Sequence, residues 1–397
     1  MSRVKVTLLS QVLGLIDRDI FKQIVNRHEG DKHAKGVDSW THLVCMLFMQ
    51  MGDLSSLRDI STGVRSATGN LSHLGVHKAP CKSSLSYRNK HRSYKIFEDL
   101  YYALLAKLKP GDPKARSYAR RLKRKIFLLD ASIIPLSLSL FDWAKYRTHK
   151  GAVKLHTVLD YDSGLPNYAV LSDGKTNDLK AARKMSFSPG SVLVMDRAYV
   201  DFEWLNDLDS NKVFFVTRLK KNADIKIAEE YLTNDKHEHV LSDQDIEMAG
   251  FYTAKKYPNK LRIVKVYDQA NDQHLILLTN QLSWTADTIS QLYKARWDVE
   301  VFFKHLKQLF RVKSFVGTSA NAVRIQMWCA MITMLLIQHL KQKAKYPWHL
   351  SNLITFLRIN LFVKIHLWQW VHQPVLEKIN SPPQLDVGPL KAANFFF

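Results

Sequence analysis

Three acidic residues, far apart in the chain, have the types and surroundings of metal ligands. Asp130 and Asp196 each follow a short apolar run, Ile126–Leu129 and Ser191–Met195, that is typical of a buried strand. A carboxylate at the end of a buried strand is costly unless a cation pairs with it. Mg²⁺ takes hard oxygen ligands, often from one or two carboxylates. The sequence therefore suggests a divalent-metal site, to which a third carboxylate, Glu300, can contribute.

Glu300 belongs to a stretch, Asp287–Phe310, that contains no Gly or Pro and that predicts one long helix with Thr285 as its N-cap. At about 100° per residue, Tyr293, Arg296, Glu300 and Lys307 fall within a stripe roughly 60° wide. A stripe with one acid, two cations and a phenol suits a surface that meets phosphate and metal. The alternative is an ordinary solvated helix face with an i,i+4 ion pair.

These residues resemble a known family. Tyr293, Arg296, Glu300 and Lys307 match the Tyr-x2-Arg-x3-Glu-x6-Lys signature of the IS4 family of bacterial DDE transposases. The segments Leu-Asp-Ala-Ser-Ile-Ile-Pro-Leu-Ser-Leu around Asp130 and Val-Met-Asp-Arg-Ala-Tyr around Asp196 are similar to the two aspartate motifs of that family. The resemblance extends from about residue 1 to 330 and includes a helical domain ahead of the catalytic core.

The resemblance implies roles for the matched residues. Asp130, Asp196 and Glu300 would be the catalytic residues and the ligands of two Mg²⁺ ions, for which Mn²⁺ would substitute, with Asp130 bridging both. Arg296 and Lys307 would hold phosphates of the terminal DNA, and Tyr293 would hydrogen-bond a phosphate oxygen.

The resemblance also implies a reaction, carried out on double-stranded DNA by a synapsed homodimer. Water would cut one strand at the transposon end, and the freed 3′-hydroxyl would attack the opposite strand to give a hairpin. After water reopens the hairpin, the same hydroxyl would attack target DNA. Tyr252, Tyr257 and Trp284 are candidates for the aromatic residue that handles a flipped base.

Further basic residues are candidates for DNA contacts. Lys154, on a strand predicted beside Asp130, and Arg197, which follows Asp196, could each face DNA, whereas His156 is more typical of a core histidine. Arg88 lies in the basic segment Lys82–Arg92, which could be the recognition helix of a helix-turn-helix motif. An ordinary basic surface helix is the alternative.

Composition favours a polyanionic partner. Lys and Arg exceed Asp and Glu to give a net charge of +22, which indicates nucleic acid without singling out DNA. The three cysteines are too few and scattered for a disulfide framework or a zinc site, which suggests a reducing compartment. With no signal peptide or membrane span apparent, we expect a cytoplasmic protein, and the resemblance implies a location on the bacterial nucleoid. The apolar run Ile325–Leu340 predicts a buried helix.

The predicted fold class is α/β: an RNase H-like mixed sheet with flanking helices and a β-rich insertion, preceded by an all-helical domain. The element order of strands and helices supports the α/β assignment, and the resemblance supplies the RNase H-like fold. The predicted divisions are a helical DNA-binding domain (1–110), a basic linker (111–125), a catalytic domain (126–330, with the insertion at about 220–285) and a C-terminal helical region (331–397).

Two rival functions remain at this stage. An RNase H-like nuclease would cut DNA without joining it, and a transposase-derived DNA-binding protein would have lost catalysis. Short inverted repeats flanking the gene, with a duplicated target site outside them, would favour the transposase.

Overall fold

The computed structural model describes residues 5–374 apart from 68, 109–121, 137–140, 142, 144, 148–149, 221–222, 233–238, 270 and 313. Residues 111–121 of the predicted basic linker and residues 375–397 of the predicted C-terminal region therefore lie outside the described residues.

In the described part of the chain, helices precede the first strand, as expected. They are α1 (Leu8–Leu13), α2 (Arg18–Arg27), α3 (Ser39–Gly52), α4 (Leu57–Ser66), α5 (Lys82–His91) and α6 (Lys95–Leu108). Side-chain caps begin several of them: Asp17 begins α2, Asp38 begins α3 and Ser56 begins α4, each accepting a backbone N–H of the first turn.

Strands then alternate with short helices. The strands are β1 (Ile126–Leu136), β2 (Lys145–Arg147), β3 (Lys150–Asp160), β4 (Leu165–Asp173), β5 (Val192–Met195), β6 (Phe214–Arg218), β7 (Ile225–Tyr231), β8 (Val240–Met248), β9 (Leu261–Asp268) and β10 (Gln273–Thr279). The helices among them are α7 (Asp178–Ala182), α8 (Phe202–Ser210) and α9 (Phe251–Lys256). The chain then continues with α10 (Ala286–Lys294), α11 (Trp297–Leu309), α12 (Ala320–Lys343), α13 (Leu350–Ile359) and α14 (Leu367–His372).

The first strands pair in the order expected of an RNase H-like core. β3 lies antiparallel between β1 and β4, while β1, β5 and β6 run parallel to one another. The parallel strand β5 is buried on both faces and is apolar throughout, as parallel strands covered on both sides require. The predicted mixed sheet and RNase H-like fold are confirmed.

The β-rich insertion continues this sheet rather than standing apart from it. β10 pairs antiparallel with the end of β6, and β9, β8 and β7 follow in order. Within the insertion, β9 and β10 form an antiparallel hairpin. The described residues thus form one ten-stranded sheet.

Helices cover the two faces of the sheet. On one face, α10 packs against β5, β6 and the insertion strands, and α11 packs against β1. On the other face, the 3-10 turn Arg197–Tyr199 and helix α8 pack on side chains such as Leu129, Leu193 and Phe215. Strand alternation therefore decides which residues of β1 can reach α11, because successive side chains point to opposite faces.

The prediction of one long helix over 287–310 is wrong. Residues Ala295 and Arg296 form a tight turn between α10 and α11, in which Arg296 N–H bonds to Tyr293 O over 3.0 Å and Asp298 N–H to Ala295 O over 3.0 Å. Such i,i+3 bonds belong to a 3-10 turn and tighten the helical path. Both residues keep right-handed backbone angles. The chain therefore passes directly from α10 into α11, and the turn shifts the angular positions of the side chains that follow.

Helix α12 is central to the helical part of the protein. It packs against α3, α5 and α6 from the first hundred residues and against α13, and the predicted boundary at 330 falls within it. Among the described residues it is the one helix long and apolar enough to cross a membrane, but 83% of its apolar window is buried inside the protein. The prediction of a buried helix at Ile325–Leu340 is confirmed.

Candidate active site

Asp130 and Asp196 lie next to each other where a parallel strand pair ends. Leu129 and Met195 are the last paired residues of β1 and β5, and each is followed directly by its aspartate. Asp196 follows β5 as predicted. Asp130 does not end its strand, because β1 remains paired with β3 as far as Leu136. The prediction of a strand end at Asp130 is therefore wrong for the strand as a whole, although the parallel pairing does end there.

Glu300 acts on the same aspartate from the helical layer. Burial raises the pKa of Asp130 to about 6, the Ala131 N–H and the Arg296 guanidinium oppose this rise, and the charges of Glu300 and Asp196 add to it. Carboxylates interact in this way only at short range. The fold thus brings Asp130, Asp196 and Glu300 into one region, although 170 positions separate the first number from the last.

Arginines pair with two of the three carboxylates, and backbone amides donate to two, including Ala131 N–H to Asp130 Oδ1 over 2.8 Å. Arg296 Nη1 donates to Glu300 Oε1 over 2.7 Å. Arg218 Nη2 lies 3.5 Å from Asp196 Oδ2, and Ala198 N–H donates to Asp196 Oδ1 over 3.1 Å. The acids are therefore partly neutralised by cations of the chain itself.

The other signature residues border this cluster. Tyr293 and Arg296 are only 6% and 9% exposed. The Tyr293 hydroxyl lacks a hydrogen-bond partner among the described residues, and burial raises its pKa against the opposing effect of Arg296 and Arg218. Burial acts to lower the pKa of Arg296, but Tyr293, Glu300 and Asp130 raise it overall. Lys307 lies two helical turns beyond Glu300 on α11 and is partly exposed.

The structure separates Lys154 from the acids. Asp130 is opposite Thr157 in the β1–β3 register, so Thr157 shares its face and Lys154 lies on the other face. There Lys154 Nζ is 3.1 Å from Asp178 Oδ1. His156 is fully buried, with Nε2 2.8 Å from Ser172 Oγ, as expected for a core histidine.

Arg197 and Arg88 occupy different surroundings. Arg197 is exposed in the turn that follows Asp196. Arg88 is partly buried on α5, which packs against α4 and α12. The segment between α4 and α5 contains a 3-10 turn, Ser72–Leu74, and is longer than the turn of a simple helix-turn-helix.

Sequence reasoning missed two residues of this region. Arg218 ends β6, the strand beside β5, and so reaches Asp196 from the neighbouring strand end. Tyr199 is 2% exposed, and its hydroxyl lacks a hydrogen-bond partner among the described residues. Burial raises the pKa of Tyr199, and so do the nearby charges of Asp130, Asp178 and Asp196. The Asp-Arg-Ala-Tyr motif could have singled out Tyr199, whereas only the strand order identifies Arg218.

The three candidate aromatic residues differ in accessibility. Tyr257 is 1% exposed and donates to Asp209 Oδ2 over 3.0 Å. Trp284 packs against Phe214 with 5.7 Å between ring centroids. Tyr252 is 79% exposed on α9 and is the most accessible of the three, since Trp284 is only partly exposed.

The donor set suits a hard divalent cation. All three acids offer carboxylate oxygens, and burial is the main cause of the raised pKa of Asp130. No three His, Cys, Asp or Glu side chains among the described residues lie close enough to share an ion. The chemistry therefore fits a metal, for which Glu300 and Asp196 would exchange their arginine partners.

Comparison with known proteins defines the family. The family model described as "Transposase DDE domain" matches residues 121–336, more than half of the chain, and residues 4–77 match a domain of unknown function. The chain therefore belongs to the DDE transposases, as an insertion-sequence transposase of the IS4 type, and is an enzyme that acts on DNA. This family's chemistry depends on divalent metal ions.

Curated relatives agree with this assignment. The chain is 30% identical to the putative transposase y4zB of Sinorhizobium fredii over 66% of this chain and 71% of that protein. It is 27% identical to a probable transposase for the insertion sequence element IS5377 of Geobacillus stearothermophilus, over 70% and 72% of the respective chains. Among solved structures, a cryo-EM structure of the piggyBac transposase synaptic complex with hairpin DNA has a TM-score of 0.46 at 11% identity, covering 94% of this chain and 84% of that one.

Proposed function

We propose that this chain catalyses cut-and-paste transposition: it cleaves DNA at terminal inverted repeats, passes through a hairpin intermediate and joins the freed end to target DNA. The observation that carries the proposal is that the β1–β5 pairing ends directly before Asp130 and Asp196, while Arg296, which bonds to Glu300, also acts on Asp130. A homodimer bound to two transposon ends on the bacterial nucleoid is the working assembly.

Asp130, Asp196 and Glu300 are the catalytic residues of this proposal and would hold two Mg²⁺ ions. When bound, the ions supply activation of the attacking oxygen and stabilisation of the leaving oxygen in phosphodiester chemistry. A set of only carboxylates favours Mg²⁺ or Mn²⁺ over softer metals.

The surrounding side chains bind and orient the DNA. Arg296 presents a planar guanidinium, which suits bidentate contact with a phosphate, and the unpartnered hydroxyl of Tyr293 beside it can donate to a phosphate oxygen. Lys307 adds a cation further along α11. Arg197 and Arg88 contact the DNA backbone. Lys154, on the opposite face of the sheet, contributes to DNA binding only indirectly, through its pair with Asp178. Tyr252 stacks on the flipped base.

Purified protein incubated with its flanking repeat DNA and Mg²⁺ tests the proposal. We expect nicked, hairpin and excised products from the wild type, and binding without cleavage from Asp130→Asn, Asp196→Asn and Glu300→Gln. Glu247→Gln, an exposed residue of β8, is the matched control. Cleavage without hairpins or joining would indicate a nuclease instead, and wild-type cleavage by Glu300→Gln would refute the assigned site.

A further inference from the structure

A lysine-lined groove lies on the face of the sheet opposite α11. It comprises two adjoining hollows of about 560 and 180 Å³ that share Tyr168. The larger hollow is lined by Lys175, Lys180 and Lys184, and the smaller one by Lys125. We call these two hollows the lysine groove. It follows the outer side of β4, a strand that pairs only with β3 among the described strands.

The cations of the lysine groove are available for a ligand. Lys175, Lys180, Lys184 and Lys125 are all exposed, and within the described residues no acid pairs with them. Arg183, on the same short segment, differs because Asp201 and Glu203 both accept from it. A cationic patch without compensating acids attracts a polyanion by long-range electrostatics.

The acids near the lysine groove are already occupied. Asp173, the one acid among the described residues that line it, accepts from both the N–H and the hydroxyl of Thr176. Asp178, at the start of α7, pairs with Lys154. These interactions leave the groove with a surplus of positive charge, which suits phosphates that must be contacted without reading base sequence.

The position of the lysine groove determines which DNA it can hold. Tyr168, Val170 and Ser172 of its floor are register partners of Val158, His156 and Lys154, so they lie on the face opposite Asp130. The residues proposed to bind the transposon end are on the α11 face. DNA held in the groove therefore lies on the opposite face of the sheet from the residues proposed to bind the transposon end.

We propose that the lysine groove binds the phosphate backbone of a DNA segment other than the transposon end held by α10 and α11. That segment is either the donor DNA flanking the end or the target DNA, which share this chemistry. The inference rests on the proposed function only for the place where the transposon end is bound. Whether the groove binds a DNA backbone does not depend on whether the protein cleaves DNA.

The triple variant Lys175→Gln/Lys180→Gln/Lys184→Gln tests the lysine groove. Its control, Lys341→Gln/Lys343→Gln/Lys345→Gln, removes the same charge from exposed positions around the end of α12. Binding is measured across a salt series with three duplexes: a short terminal repeat, the same repeat extended by flanking DNA, and an unrelated target sequence. Removing one lysine that neutralises a phosphate reduces the steepness of log K against log salt by about 0.9.

We expect the groove variant to bind the extended or the target duplex about tenfold or more weakly, with a slope reduced by roughly two to three, and to bind the short repeat like the control. Weaker binding confined to the extended duplex assigns the groove to flanking DNA, and weaker binding confined to the unrelated duplex assigns it to target DNA. Equal binding by groove and control variants, or an equal decrease on all three duplexes, overturns the inference.

A cleavage and joining assay on the same duplexes, run beside the binding series, separates this inference from the proposed function. If the wild type fails to cut its repeats but the groove variant still binds selectively more weakly, the transposition proposal fails and the lysine groove stands. If the wild type cuts and joins DNA while the groove variant binds the three duplexes like its control, only the groove proposal fails. If the wild type binds none of the duplexes, both are wrong.

Discussion

Arg296 Nη1 donates to Glu300 Oε1 over 2.7 Å, and the same guanidinium acts against the rise in the pKa of Asp130. Arg296 is 9% exposed, so this cation is held against the acid cluster by the protein around it. Removing a partner from such a pair leaves an uncompensated charge in a partly buried place. Arg296 therefore balances the carboxylates in the absence of metal and, by the proposal, also faces the DNA.

Arg296→Lys tests whether the planar guanidinium matters as well as the charge. A lysine cannot offer the fork that pairs a carboxylate and a phosphate at once. We expect affinity for the terminal-repeat duplex to fall about ten- to hundredfold, corresponding to roughly 1.4–2.8 kcal/mol, with little change in the melting temperature.

Arg183→Lys is the matched control, because Arg183 also bonds to two acids, Asp201 and Glu203, but lies away from the cluster. Gel-shift titration of the wild type and the two variants measures the effect. Unchanged affinity in Arg296→Lys would show that the guanidinium serves charge balance alone.

The local motif around Arg296 could be predicted from the sequence, but its backbone could not. Residue types and spacing were enough to associate Tyr293, Arg296 and Glu300 with each other. The 3-10 turn at Ala295 and Arg296 could not be foreseen, because every residue there is compatible with a continuous helix. Tertiary packing of α10 on the insertion strands and of α11 on β1 decides the break.

Non-local pairing explains the remaining differences. Asp130 was expected to end a strand, yet β3 continues beside it and extends β1 by six residues. Arg218 was missed because only the parallel order of β5 and β6 brings it to Asp196. Lys154 was expected near the acids on the basis of strand adjacency, but the pleat turns it to the opposite face. Which strands are neighbours can be inferred from sequence motifs. The face of the sheet on which each side chain lies can be known only from the strand register.

Asp130 gives a pH dependence to the stability of the metal-free protein. Its pKa rises from 3.8 to about 6 on folding, mainly because of burial. Between these pH values the native state binds more protons than the unfolded state, so the free energy of unfolding falls as pH rises from about 4 to 6. Asp130→Asn removes this penalty, so we expect the variant to be more stable than the wild type above pH 6, by at most about 3 kcal/mol, and similar to it near pH 4.

Urea unfolding at a series of pH values, with a chelator present, measures this difference. Asp207→Asn serves as the control, because Asp207 is exposed on α8. Adding Mg²⁺ should stabilise the wild type and not Asp130→Asn, since ligand binding to the native state adds to the free energy of unfolding. A constant difference between the two proteins across the pH range would contradict the explanation.

Tyr199→Phe examines the buried hydroxyl near Asp130 and Asp196. A buried hydroxyl without a partner costs free energy, so we expect Tyr199→Phe to raise the free energy of unfolding of the metal-free protein by about 1 kcal/mol. Tyr257→Phe makes the same atomic change but removes the bond to Asp209, and it should destabilise by a similar amount.

Denaturant unfolding of the two phenylalanine variants provides the comparison. Destabilisation by both substitutions would indicate that Tyr199 has a partner after all.

Gln326 of α12 fixes the segment that follows helix α11. Its side chain is fully buried. Its Nε2 donates to Ser314 O over 2.8 Å and also to Arg311 O. Its Oε1 accepts from Val316 N–H over 3.0 Å. Gln326→Leu leaves these backbone groups unsatisfied in the interior. We expect it to lower the free energy of unfolding by about 2–4 kcal/mol, whereas Gln342→Leu, on the exposed end of the same helix, should change it by less than about 0.5 kcal/mol.

Hydrogen exchange of residues 311–316 should accelerate in the Gln326 variant before global unfolding. Unaltered exchange in that segment would mean that the neighbouring bond from Arg311 N–H to Gln50 holds it without help.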